Sequence, residues 1–488
     1  MSARPVWTLI VVVATLASAC ERPPDPAALP TSAEIRRAVT VDAIRAHLQA
    51  LQRIAERNGG NRAAGTAGHD ESAAYVSGVL EDAGLEVHSQ EFTIPVFEQV
   101  EPSELEVTGT AGGGPEEVEP FADGEDFKAM LYSASGDVEA PAAFLDFDPA
   151  ASGEELTGAG CESSDFAGFP TGSIAVLQAG PCLRRDQVVN AQTAGAVAVV
   201  VSYPGWHSGS VRRPTLLSPL QIEVPALSAS SEVGAALFDA AQEAVPSPIH
   251  LRVSTNVRTI DRTTVNVIAE THSGDGAHIV MVGGHLDSTM DGPGINDNGS
   301  GTAAILEVAV RLASAELRNR VRFAFWSGEE LGLLGSRHYV ESLSEDERDS
   351  IALYLNLDMI ASPNFVRFVY ADAGSPSGSE AINDVLAGWL RSQGLETDPF
   401  DLQGGSDHGS FARAGIPVGG LFTGATELKT VSEAGVYGGR PGAPADPCYH
   451  LACDTLEEID EQVLGEMADA AAHAMVTFST RSPPIPGS

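Results

Sequence analysis

The stretch HIVMVGGHLDSTMDGPGINDNGSGTAAILEVAVRLASAELRNRVRFAFWSGEE (residues 278–330) decides the fold. It opens on an apolar run, HIVMVGGHLDS, that reads as a strand. Gly301 to Ala313 follows as a helix, with Ile305, Val308, Ala309 and Leu312 on one face, and VRFAFWS is a second strand. The same rhythm continues: GLLGSRHYVESL is a helix and IALYLNLDMI and FVRFVYAD are strands. A helix around Ala381–Leu390, the strand IPVGGLF and a last helix from about Asp460 complete it. Upstream, TVNVIAE is a strand. Strands alternating with helices predict a mostly parallel central sheet flanked by helices on both faces. In such sheets the active site lies at the carboxyl ends of the strands.

Residues N-terminal to this core belong with it. Ile44, Leu48, Leu51 and Ile54 recur at three- and four-residue intervals, as do Tyr75, Val79 and Leu80 after a glycine-rich loop, so Val41 to Leu80 is helical. Leu85 to Phe97 alternates apolar and polar residues and is a strand. From about 108 to 253 the texture changes to short β runs (SIAVLQAG, AVAVVVSY, IEVPALS) around one helix, QVVNAQTAGA. The expected organisation is therefore one discontinuous α/β domain, residues 35–107 and 254–482, carrying a small β-rich insertion, 108–253.

The first 20 residues, MSARPVWTLIVVVATLASAC, place Arg4 before an apolar run from Val6 to Leu16 and then small residues and Cys20. This is a secretory signal, too short to span a membrane comfortably. Small residues before a cysteine are similar to a bacterial lipoprotein cleavage site, although Ala17 stands where leucine is usual. The two expectations are a cell-envelope protein lipidated on Cys20 or a freely secreted one, with residues 21–34 as a Pro-rich linker. Cys161, Cys182, Cys448 and Cys453 remain, an even number for an oxidising compartment. Of three possible pairings, proximity favours 161–182 and 448–453; a four-thiolate zinc site lacks its C-x2-C spacing.

Charge narrows the partners. Lys+Arg 28 against Asp+Glu 67 gives −39 in 488 residues, which makes nucleic acid and anionic membranes poor partners. The only membrane contact expected is a lipid on Cys20, and a monomer is expected.

Four segments put carboxylates or imidazoles where a predicted strand ends or just beyond: GGHLDS (283–288), GINDNGSG (294–301), WSGEELGLLGS (326–336) and NLDMI (356–360). A fifth, CYHLACD (448–454), comes late. Oxygen and nitrogen donors without free thiols suit zinc, with cobalt or manganese as substitutes. In His285-x-Asp287 one residue can bind metal while the other orients it. Alone, Asp297 would be read as a helix N-cap, yet its carboxylate can also bridge two cations. Glu329 and Glu330 repel each other and gain little structurally; one can bind metal while the other takes a proton from water. Asp358 interrupts an apolar strand, where an unpaired carboxylate is costly. His450 sits between two cysteines whose disulfide would fix its loop.

Taken together these motifs, with NRAAGTAGHDESAAYV near the N-terminus, resemble the M28 family of zinc aminopeptidases over about residues 35–105 and 255–480. The resemblance implies two zinc ions, His285 and Asp358 on one, Glu330 and His450 on the other, and Asp297 bridging. It also implies Glu329 as general base, Asp287 as the carboxylate behind His285, and Tyr449 as a donor to the oxyanion of the tetrahedral intermediate. A cis peptide is implied at Asp297–Asn298. In GGSDHGSF, Asp407 and His408 are expected to line the cleft, with the five ligand positions filled without His408. The insertion, with TGSIAVLQAGPC and AQTAGAVAVVVSY, resembles a protease-associated (PA) domain, either a lid over the site or a passive addition. Peptide substrates are thus expected. The rivals are a carboxypeptidase or dipeptidase of the same fold, a single-zinc glutaminyl cyclase and a non-catalytic binding protein.

Overall fold

The computed structural model describes residues 29–110, 120–149, 160–203 and 211–485. The expected signal, Cys20 and the first part of the linker lie outside these residues. Three helices come first: α1 (Ser32–Ala38), α2 (Val41–Arg57) and α3 (Ala67–Asp82). Thr40 caps α2 by accepting from Ala43 N, and the predicted apolar stripe Ile44, Leu48, Leu51 and Ile54 is the face that is buried.

Then follow β1 (Glu86–Thr110), β2 (Phe127–Ala129), β3 (Gly136–Phe144), β4 (Ile174–Gln178), α4 (Arg184–Thr193), β5 (Ala198–Ser202), β6 (Ala226–Ala229) and α5 (Ser231–Glu243). Next are β7 (Ile249–Glu270), β8 (Asp275–His285), α6 (Gly301–Leu312), β9 (Asn319–Trp326), α7 (Leu334–Ser342), α8 (Glu345–Ser350) and β10 (Ile351–Leu357). The chain ends with β11 (Phe368–Tyr370), α9 (Ser379–Ser392), β12 (Asp398–Phe400), α10 (His408–Arg413), β13 (Val418–Phe422), α11 (Val431–Tyr437) and α12 (Glu461–Thr480).

The main sheet has the order β12-β11-β13-β10-β8-β9-β7, with β1 on β7. Its centre is parallel, since β8 pairs in parallel with both β9 and β10, and β10 with β13. Residues Ile279–His285 are all buried, as expected of a strand covered on both faces. On one face Leu48, Val76, Ile305 and Met467 join the central core; on the other Tyr339 and Phe411 pack around Trp326.

β1 and β7 form a long antiparallel arm, from Glu86 opposite Glu270 to Thr110 opposite Ile249. Both strands pass without a break through the expected limits of the insertion. β3 makes the junction: Gly136–Pro141 pairs with β7, and Ala142–Phe144 runs parallel to β4. β4, β5 and β6 continue in parallel, so the insertion carries its own small parallel sheet. Cys161–Cys182 and Cys448–Cys453 are disulfides, which excludes a four-thiolate zinc site.

Two glycines explain how the site is brought so close to the sheet. A Cβ on Gly284 would lie 2.6 Å from Leu357 O, and one on Gly301 2.3 Å from the same atom. The end of β8 and the start of α6 therefore press on the end of β10 at a distance only glycine permits.

Candidate metal centre

Because β10, β8 and β9 are neighbours and parallel, their carboxyl ends deliver side chains to one place. His285 closes β8, Asp358 follows β10 and Glu329 follows β9 within three residues. Asp297 lies in the irregular turn Ile295–Ser300 that feeds α6, and His450 comes from the disulfide-closed loop. His450 adopts φ +61°, a left-handed conformation uncommon for a residue with a Cβ.

The Asp297 carboxylate sits between the two imidazoles. Its Oδ1 is 3.2 Å from His285 Nε2 and its Oδ2 is 3.1 Å from His450 Nε2. Asp358 Oδ1 is 3.4 Å from His285 Nε2, and Glu330 Oε2 is 3.1 Å from His450 Nε2. Two half-sites thus share one carboxylate. Donor atoms of His285, Asp297 and Glu330 lie within 4.8 Å of one another, close enough for one ion.

The donor set fits divalent cations. Glu330 Oε1, Asp358 Oδ1 and Asp287 Oδ2 are buried without a hydrogen-bond partner, which is costly for a carboxylate unless a cation faces it. Burial, with His285 opposing and Glu330 and Asp407 adding to it, pushes the Glu329 carboxyl well above the usual range, and burial raises Glu330 too. Burial works against charge on His450, but Glu330 and Asp297 push its imidazole up to about 10. Burial likewise opposes ionisation of Asp297, yet the two imidazoles hold it below the usual carboxylate range. The acids gathered here, Asp287, Asp297, Glu329, Glu330 and Asp358, outnumber the cations beside them, two imidazoles and the buried Arg62 guanidinium, so the cluster is short of positive charge.

The residues flanking Asp297 are pinned. Asp454 accepts from Asn296 N at 2.6 Å and from Asp297 N at 3.1 Å. Asn298 donates to Leu357 O at 2.8 Å and accepts from Gly301 N and Met359 N. The Asp297–Asn298 peptide is cis. Ser406 donates to Asp358 Oδ2 at 2.5 Å.

Several placements differ from expectation. The strand ends at His285, so its alternation does not carry to Asp287. His285 Nδ1 donates to the Asp287 carbonyl at 3.0 Å, while the Asp287 carboxylate oxygen lies 3.8 Å away. That carboxylate instead accepts from Glu329 N at 3.3 Å, and burial pushes it up to about 7. Asp407 and His408 are buried, and neither lines the cavity at the cluster. His408 pairs with Asp372 at 2.8 Å, which occupies the imidazole away from the cluster.

A cavity of about 340 Å³ opens onto the cluster, lined by Asp287, Glu330, Tyr449 and His450 from the main domain and by Leu131, Leu183, Arg184 and Arg212 from the insertion. Tyr449 stacks on His450 with ring centroids 3.7 Å apart, and the Arg212 guanidinium lies 5.4 Å from the Tyr449 ring centre.

Arg62, within the NRAAGTAGHDESAAYV stretch, has no role that its sequence context alone assigns. It is fully buried and donates to Pro293 O at 2.9 Å, to Gly294 O at 2.7 Å and to Leu286 O, while its N–H donates to Ser288 Oγ at 2.8 Å. It holds both ends of the loop joining His285 to Asp297. Arg62→Met leaves three buried carbonyls without that donor and is expected to cost about 3 kcal/mol or more. Arg62→Lys recovers only part, lacking the planar fork. Denaturant unfolding checks this, and an Arg62→Met protein as stable as the parent refutes it.

Comparison with known proteins agrees with this arrangement. The sequence profile of Peptidase family M28 matches residues 266–475, and that of the PA domain matches residues 147–237. An aminopeptidase of Pseudomonas aeruginosa is 39% identical over 433 residues, covering 87% of this chain and 78% of that protein. The "Probable lipoprotein aminopeptidase LpqL" of Mycobacterium tuberculosis is 37% identical over 495 residues, 97% of this chain and 93% of that one. The structure of an aminopeptidase from Aneurinibacillus sp. strain AM-1 superposes with a TM-score of 0.69 at 25% identity, over 92% of this chain and 96% of that chain. Similarity sustained over this much of the sequence, through every strand that feeds the cluster, means that the chain belongs to peptidase family M28 and carries an inserted PA domain.

Proposed function

We propose that this protein is a two-zinc aminopeptidase that removes residues from the N-termini of peptides outside the cytoplasm. The observation that carries it is the Asp297 carboxylate, whose two oxygens face two imidazoles at 3.2 and 3.1 Å, each imidazole backed by its own carboxylate. His285 and Asp358 would hold one ion, Glu330 and His450 the other, with Asp297 shared. Bound there, zinc would supply the Lewis acidity that polarises the scissile carbonyl and lowers the pKa of water. Glu329 takes the proton of the attacking water and returns it to the leaving amine. Burial, together with Asp297 and Glu330, pushes the Tyr449 phenol well above its ordinary value, so it stays protonated and can donate to the oxyanion. Asp287 orients the pair by accepting from Glu329 N and by giving its carbonyl to His285.

The substrate's N-terminal ammonium would lie against the acidic cluster, and its side chain in a cavity whose apolar lining includes Val96, Phe97, Leu131, Leu183, Met290 and Leu331. Residues 35–107 and 254–482 would form the peptidase domain around a 108–253 insertion. Two disulfides and the lipoprotein relative support export, with a lipid on Cys20 or free secretion as the two outcomes. Peptides are the expected partners of a monomer.

The test combines metal content with substrate blocking. Purified protein should carry two zinc ions, lose activity to a chelator and regain it with zinc. Peptides with a free N-terminus should be cleaved, and N-acetylated ones rejected by roughly a hundredfold or more, because a site built around an ammonium is left unpaired. Equal cleavage of both, or preference for a free C-terminus, would sink the aminopeptidase reading in favour of a carboxypeptidase.

A further inference from the structure

Between Asp287 and Asp297 the chain makes a loop that touches the inserted module. Within it, Asp291 Oδ1 lies 3.1 Å from Lys128 Nζ and Oδ2 lies 3.4 Å from Arg213 Nε. The three side chains are 17%, 10% and 14% exposed, so this triad is screened far less than a surface pair. Both cations belong to the insertion, and Arg213 is held from it and from β1 of the main domain. Lys128 is the middle residue of β2, and Arg213 donates to Ala129 O at 2.8 Å on that strand and to Gln99 Oε1 at 3.2 Å on β1. The loop supplies only the carboxylate that they grip. Met290, the residue before it, is 40% exposed and lines the catalytic cavity together with Leu131 and Leu183 of the insertion.

We propose that the Lys128–Asp291–Arg213 triad is a positioning device, which locks the inserted module onto the loop and sets the shape of the apolar wall that reads the substrate's N-terminal side chain. This rests on the aminopeptidase reading of the site. Asp291 touches neither the cluster nor the reacting bond. Its removal leaves two like charges facing each other at the seam, and Met290 loses its register with Leu131 and Leu183. A misfit the size of one methylene in such a pocket changes discrimination by roughly tenfold or more. The insertion is then a working wall of the site, where the sequence left open a lid or a passive addition.

The experiment compares kcat/KM for leucyl- and alanyl-p-nitroanilide in the full chain. Both are read on one preparation, so their ratio is indifferent to the fraction of protein that folds. Asp291→Asn is expected to lower the leucyl-to-alanyl ratio roughly tenfold, chiefly through KM for the larger substrate. Lys128→Met should lower it in the same direction and Lys128→Arg should keep it. A ratio unchanged in Asp291→Asn, or an equal fall in kcat for both substrates, overturns the proposal. A parent enzyme that cleaves no peptide or aminoacyl-p-nitroanilide bearing a free N-terminus, these two included, removes the aminopeptidase reading itself.

Discussion

Glu329→Gln is expected to keep both zinc ions and to lose roughly 10²–10⁴ in kcat, with KM little changed. The amide has the same shape as the carboxylate but cannot accept a proton. The backbone bond from Glu329 N to Asp287 Oδ1 does not involve the side chain and survives the change. Burial, against the pull of His285 and with Glu330, Asp407 and Asp358 adding to it, drives the Glu329 carboxyl upward. A base whose affinity for protons is raised in this way suits removal of a proton from activated water. Metal analysis beside steady-state kinetics separates the outcomes. Zinc-replete Glu329→Gln with near-parental turnover would show that another group carries the proton, and Asp407, buried and pushed up to about 7, would be the next to test.

Much of this cluster is legible in the sequence because the residues proposed as ligands sit on elements with strong patterns. β8 is apolar from Ile279 up to His285 at its end, β10 is followed at once by Asp358, and a parallel sheet brings neighbouring carboxyl ends together without further instruction. A carboxylate directly after an apolar strand, as Asp358 is, is anomalous locally and so stands out. The supporting residues have no such mark. Arg62 serves carbonyls more than 220 residues away, and Asp454 caps the backbone at Asn296 across a separation of 158. Both lie inside the quoted stretches NRAAGTAGHDESAAYV and CYHLACD, yet nothing local assigns their roles, because each is satisfied only in the folded chain.

The limits of periodicity appear at two other places. β1 continues from Phe97 to Thr110 although its alternation fades, because pairing with β7 absorbs the irregular stretch through register shifts between Gln99 and Glu104. Around Asp287 the pattern stops short instead. The strand ends at His285, and its imidazole meets the Asp287 backbone carbonyl at 3.0 Å, with the carboxylate oxygen at 3.8 Å. A two-residue period is informative only while the strand lasts.

Asp297 is where both half-sites should fail together. With the ligation proposed above, Asp297→Ala would remove a ligand from each ion at once, leaving His285 with Asp358 and His450 with Glu330, two donors apiece, where zinc ordinarily requires three or four. The expected result is loss of both ions and a fall in kcat/KM of more than about 10³-fold, since activated water and carbonyl polarisation disappear together. Asp297→Asn separates charge from shape. It keeps the backbone donor to Asp454 and the packing of the turn, but a neutral amide cannot bridge two cations and presents an N–H₂ to one imidazole. It should therefore fold like the parent and still lose metal. Combining Asp297→Ala with Glu330→Ala should cost little beyond the first change, because residues that act as one unit are not additive. Were Asp297→Asn to hold two zinc ions with activity within tenfold of the parent, a shared carboxylate could not be the organising feature of this centre.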